Sequence, residues 1–185
     1  KWYPQYDWNV TKEQGGSSLL SAGCHAVDAM RWFMGTDKKV TEVSAYHIPH
    51  KGDNDDWQYP PSTILICKFD DGTVGKVAST LDCKLPYAFN VDVLGNKGSI
   101  RDNRLWSEPL LPGQTDWATI PTVLPDSGDV THHPFNGQIE ELVAGILDGA
   151  KILPDLDDAM KTHELVFAAD KSADTGAAVK LPLSG

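Results

Sequence analysis

Residues 15–35, GGSSLLSAGCHAVDAMRWFMG, read as one helix together with its start and stop signals. Two glycines and two serines precede the apolar run, the chemistry that opens a helix, and Gly35 stands where a left-handed cap closes one. At roughly 100° per residue, Leu19, Leu20, Gly23, Ala26, Val27, Met30, Phe33 and Met34 share one side, the expected core face. The opposite side aligns Ser21, His25, Asp28 and Trp32. A face meant for bulk water would carry Lys and Glu. A hydroxyl, an imidazole, a carboxylate and an indole point instead to a ligand or a neighbouring domain.

Outward from this helix the period changes. Residues 40–48 alternate and are rich in β-formers, which predicts a strand. Residues 63–69 and 73–81 flank Asp70, Asp71 and Gly72, an Asp-Gly hairpin signal that makes the sheet antiparallel. Alternation over Phe89, Val91 and Val93, a turn at residues 95–98, and short runs at 99–101 and around Leu105 extend this to a meander of four or five strands. Five prolines between Trp106 and Pro134 mark a long excursion with at most one short strand at 117–120. Two helices follow, at 135–148 and from Asp155 or Asp157 to about Thr175, before a final edge strand at 177–183. The expected fold class is α+β: a largely antiparallel open sheet with its helices on one face. Ile64, Ile66 and Ala78 on one side of the hairpin, and Leu65, Cys67 and Phe69 on the other, leave both faces partly apolar. The face away from the helices is therefore expected to bury against a second copy, giving a homo-oligomer.

The chain has 185 residues, enough for a core, and reads as one domain over 1–185 excised from a longer protein. Sixteen Lys and Arg against twenty-six Asp and Glu give a formal charge of -10, which opposes nucleic acid and anionic membranes as partners. No apolar run reaches the roughly 20 residues of a membrane span. Cys24, Cys67 and Cys83 are odd in number and lack C-x-x-C spacing, so neither a disulfide framework nor a zinc site is expected, and a reducing cytoplasm is the simpler location.

His25 is the leading chemical candidate, because imidazole accepts a hydroxyl proton near neutral pH. Asp28 could orient it from one turn on, and Ser21 and Trp32 could contact a ligand. His132 and His133 end the long excursion, where His133 could reach a substrate; His47 and His50 match no zinc spacing, and no metal is assigned. There is no G-x-S-x-G elbow, no G-x-G-x-x-G and no phosphate-binding G-x-x-x-x-G-K-[ST], so the chain has no visible nucleotide site of its own.

Gly15-Gly16, Gly23-Cys24-His25, Asp28, Arg31-Trp32 and Gly35 resemble the G-G-x-x-x-D-x-G-x-H-x-x-D signature of the glucose-fructose oxidoreductase, inositol dehydrogenase and rhizopine-catabolism (Gfo/Idh/MocA) family. Residues 91–99, VDVLGNKGS, and the C-terminal stretch with Asp158-Ala159, Ser172-Ala173 and Val179-Lys180-Leu181-Pro182 are similar to that family's C-terminal domain. The resemblance implies an NAD(P)-dependent oxidoreductase acting on a sugar, polyol or related hydroxy compound. Its NAD or NADP is bound mainly by an N-terminal Rossmann domain absent from this chain, which contributes the substrate pocket and an oligomerising sheet. It places the catalytic proton carrier at His25 and puts Ser21 where the family has an aspartate. The family's catalytic lysine belongs to the absent domain, so this chain alone is expected to be inactive. Two alternatives remain open: a non-catalytic binding or assembly module of the same fold, and an NAD-dependent glycosidase.

Overall fold

The computed structural model describes residues 7–51, 56–85, 87–121 and 135–183. They form two compact units, one from residues 1–83 and 153–185 and the other from 84–152. The first unit includes the four-residue helix α1 (Asp7–Val10). A π-helical turn (Leu19–Gly23) leads into α2 (Cys24–Met34), followed by β1 (Val40–Ile48), β2 (Ser62–Phe69) and β3 (Val74–Thr80). After the second unit, α4 (Leu156–Thr175) and β8 (Val179–Lys180) complete the first. The strands pair antiparallel in the order β3-β2-β1-β8.

Alternation along these strands sorts the core from the surface. Val43 and Ala45 on β1, Leu65, Cys67 and Phe69 on β2, and Val77 on β3 point inward. Leu19, Val27, Leu165, Val166, Ala168 and Ala169 of the helical layer close over them. Each fully buried Leu or Phe here contributes about 1.5–3 kcal/mol relative to exposure. The hairpin forms as expected, with Asp71 Oδ1 accepting from Thr73 N at 2.9 Å and Lys38 pairing with Asp71 Oδ2 at 2.7 Å. That company lowers the Asp71 pKa below the usual carboxylate range, through Lys38 first and Thr73 second. Helix α4 is capped by Asp155, whose side chain accepts from Asp158 N at 2.9 Å, and ends at Gly176 with φ 69°.

The opposite face of this sheet carries Tyr46, Ile48, Ile64, Ile66 and Val74, all exposed. Tyr46 stands across from Ile64 and Ser44 across from Ile66, so the apolar positions adjoin rather than scatter.

The second unit holds β4 (Asp92–Gly95), β5 (Gly98–Arg101), β6 (Arg104–Trp106), β7 (Ala118–Thr119) and α3 (Phe135–Asp148). The single meander expected from the sequence is thus two four-stranded sheets, because pairing stops at Thr80 and resumes only at Asp92. Phe89 and Val91 stay outside the ladder. Val91 instead donates to Asp102 Oδ1 and accepts from Asp102 N. Ser107 organises the start of the excursion: its N–H donates to Gln114 Oε1 at 2.9 Å and its hydroxyl to the Lys97 carbonyl at 2.8 Å. An open apolar groove of about 340 Å³, lined by Val93, Ile100, Leu105 and Leu110 among others, lies in this unit.

Candidate functional site

The candidate site is built on the π-turn. Cys24 N donates back to Leu19 O, one residue further than an α-helix allows, so the helix is one residue wider here than before or after. Both ends of the turn are bedded on the sheet. Ser18, fully buried, shares a 2.6 Å hydrogen bond between its hydroxyl and Thr63 Oγ1, and its carbonyl accepts from Ser79 Oγ at 3.1 Å. Gly23 lies so close to β3 that a Cβ there would stand 2.8 Å from the Ser79 Cβ. Ser17 completes the start, accepting from Leu20 N at 3.1 Å.

The wider turn shifts Ser21 against the regular helix that follows it, and Asp28, within that helix, is drawn to α4, so the four side chains that a uniform wheel aligned do not stay together. His25 is exposed and makes no side-chain hydrogen bond or ion pair among the described residues. Trp32 is 62% exposed and meets Phe33 edge to face at 5.5 Å. The other two turn away. Ser21 Oγ is sealed from solvent without a geometrically sound hydrogen bond. It lies near the Tyr59 phenol, whose pKa is raised by burial with Ser21 partly opposing the rise. Tyr59 itself donates to the Asn9 carbonyl.

Asp28 faces α4 rather than His25. Its Oδ1 accepts from Thr162 Oγ1 at 2.6 Å and lies 3.7 Å from Arg31. Arg31 is buried and donates to Thr162 Oγ1 at 2.6 Å, to the Asp158 carbonyl at 3.1 Å and to Asp158 Oδ1 at 2.8 Å. The core face of the helix therefore runs Leu19, Gly23, Val27, Arg31, while Phe33, assigned to the core by the wheel, is exposed. A spacing of four through an arginine was the available signal for Arg31. Its partners Asp158 and Thr162 lie too far along the chain for any sequence period to name.

A model of the "Oxidoreductase family, C-terminal alpha/beta domain" matches residues 2–181. The chain belongs to this family. A D-xylose 1-dehydrogenase (NADP(+)) from Haloferax volcanii is 23% identical over 176 residues, 95% of this chain and 51% of the relative. This oxidoreductase domain thus spans about half the length of the curated relative it matches. Among solved structures, levoglucosan dehydrogenase in complex with NADH and levoglucosan superposes with TM-score 0.76 at 19% identity, covering 96% of this chain and 54% of the other. The WlbA dehydrogenase of Bordetella pertussis in complex with NADH and UDP-GlcNAcA gives TM-score 0.70 at 18% identity, covering 99% and 50%.

Among the described residues, the glycine pair before the π-turn offers no cradle for a dinucleotide. The paired glycines before the π-turn are filled by protein: a Cβ on Gly15 would meet the Asn9 carbonyl at 2.5 Å and the Tyr59 ring at 2.9 Å. A pyrophosphate needs open backbone N–H groups at such a turn.

The domain's remaining candidates fall elsewhere. His133 lies outside the described residues. His47 Nδ1 contacts Thr63 Oγ1 at 3.0 Å, and His50 pairs with Asp82. Among the described residues no three His, Cys, Asp or Glu side chains converge as a metal would require, and no helix is long and apolar enough to cross a membrane. The three cysteines are free; burial raises the Cys24 thiol and pushes Cys67 up to about 11.

Proposed function

We propose that this chain is the substrate-binding and oligomerising domain of an NAD(P)-dependent oxidoreductase acting on a sugar, polyol or related hydroxy compound, with His25 exchanging the proton of the reacting hydroxyl. The observation that carries this reading is His25 itself: an exposed imidazole without a partner among the described residues, on a helix anchored by the buried Leu19, Val27 and Arg31. An imidazole held this way can accept the hydroxyl proton of an alcohol as it becomes a carbonyl, and return it in the reverse direction. The nicotinamide, held by residues outside this chain, supplies the hydride acceptor or donor. Trp32 offers a flat apolar surface two turns from His25, suited to the C–H face of a sugar ring. Ser21 and Asp28, occupied by the Tyr59 surroundings and by Arg31 and Thr162, shape the helix beneath this surface.

The test uses the protein that carries this chain joined to a cofactor-binding domain, with NAD(P)H absorbance as the readout. His25→Ala lowers kcat roughly 10²- to 10⁴-fold on this reading, with the melting temperature little changed because the imidazole is exposed and makes no side-chain hydrogen bond among the described residues. Undiminished turnover would return His25 to scaffold. That outcome would favour the assembly-module reading, to which the replacement of the family's aspartate by a buried Ser21 hydroxyl already lends weight.

A second copy covers the outer face of the first sheet, where Tyr46, Ile48, Ile64, Ile66 and Val74 adjoin. Light scattering then finds a dimer or larger species, and Ile66→Lys weakens it. A monomer at high micromolar concentration would sink this part.

A further inference from the structure

A polar group lies behind the π-turn and takes no part in the chemistry above. Four elements contribute to it. Ser17 and Ser18 come from the start of the helix, His47 from β1, Thr63 from β2, and Asp170 and Asp174 from α4. Thr63, itself buried, sits between the Ser18 hydroxyl at 2.6 Å and His47 Nδ1 at 3.0 Å. On its other side the imidazole faces Asp174, with Nε2 3.4 Å from Oδ1. Asp170 closes the group from one turn earlier, its carboxyl raised above the ordinary range by burial while the Ser17 hydroxyl opposes the rise.

Proton counting gives the chain of contacts a direction. With a neutral ring whose Nε2–H is turned to the Asp174 carboxylate, Nδ1 accepts, so Thr63 donates to His47 and Ser18 donates to Thr63. The chain ends on the residue immediately before the π-turn. A π-turn is rare and appears mostly as a single turn within an α-helix; here Ser18 ties its start to the sheet through Thr63 and Ser79. Absorbing its extra residue into an α-helix would rotate His25 by roughly 100° relative to Ser18.

We propose that His47 is a positioning residue for the proton-transfer site: through Thr63 and Ser18 it holds the π-turn Leu19–Gly23, and so the aim of His25. The inference rests on the oxidoreductase reading, and adds to it a residue on β1 that touches neither substrate nor cofactor. What matters on this view is the Nδ1 side of the ring, the side that reaches Thr63.

Three substitutions at one position separate this from simple packing. Asparagine places its amide where Nδ1 stands, glutamine places it nearer Nε2, and leucine keeps volume alone. In the protein with its cofactor domain, His47→Leu and His47→Gln lower kcat about 10-fold while KM changes less than about 3-fold, consistent with misaimed chemistry rather than lost binding. His47→Asn keeps kcat within about 2-fold of the parent, and His47→Leu adds no further loss in a His25→Ala background. Parental kcat in His47→Leu, or equal losses in all three variants, would overturn the proposal while His25→Ala still tests the reading beneath it. An active His25→Ala enzyme would overturn both.

Discussion

The two sides of α2 are built by opposite rules. On the inner side the charged groups have fixed protein partners: Arg31 is held by Asp158 and Thr162, and Asp28 by Thr162, while Ser18, at the turn before the helix, is held by Thr63 and Ser79. On the outer side His25 and Trp32 face solvent, the imidazole with no partner at all among the described residues. A reactive group is useful only if it is both aimed and available, and the helix divides these requirements between its faces. Inner-face substitutions should therefore cost stability first, and outer-face substitutions activity alone.

Arg31→Leu is the strongest way to break this division. It strands the buried Asp158 carboxylate, and is expected to cost about 3–5 kcal/mol in urea unfolding, the price of leaving a buried charge unpaired. Adding Asp158→Asn should recover a large part of the loss, since the unpaired charge is then gone. Gly23→Ala comes next. Its new methyl must push α2 off Ser79 and Leu19, an overpacking cost of about 1–3 kcal/mol, and it should lower kcat as well because the displaced turn carries His25.

The smallest effect sharpens the comparison by its sign. Burial raises the Asp170 pKa above its unfolded value, so folding favours the protonated form. Its contribution is fully present below the unfolded pKa and is lost as pH rises through the folded one. Asp170→Asn, which retains a polar partner for Ser17, should thus raise the melting temperature at pH 7, with the gain shrinking toward pH 4. A lower melting temperature at pH 7 would show that attraction from His47 and Lys12 outweighs burial at this carboxylate.

Much of the fold was legible. The strand at residues 40–48, the Asp-Gly hairpin, the helix at 135–148, the Asp155 cap and the Gly176 stop all answer to local chemistry, and local chemistry is what a sequence displays. The division into two sheets was not, because both halves of the expected meander have the same alternation and differ only in where pairing lapses. The candidate site was half legible. His25 and Trp32 lie outward as periodicity placed them, whereas Ser21 and Asp28 turn away from them and Phe33 is exposed. A wheel assumes one constant rotation per residue, which the five residues of π-turn violate at Ser21, whereas Asp28 lies in regular helix and is settled by the Thr162 hydroxyl that α4 places beside it.

Composition, periodicity and capping residues were sufficient for the order of the elements, the α+β class and the presence of an unusual polar face on the first helix. Tertiary structure alone decided which of that face's side chains are free. Thr63 and Ser79 are brought to Ser18 across the sheet, and Thr162 to Asp28 and Arg31 from the far end of the chain. Hydrogen bonds between such distant residues leave no period to read, yet they determine that Asp28 is tied down and His25 is not.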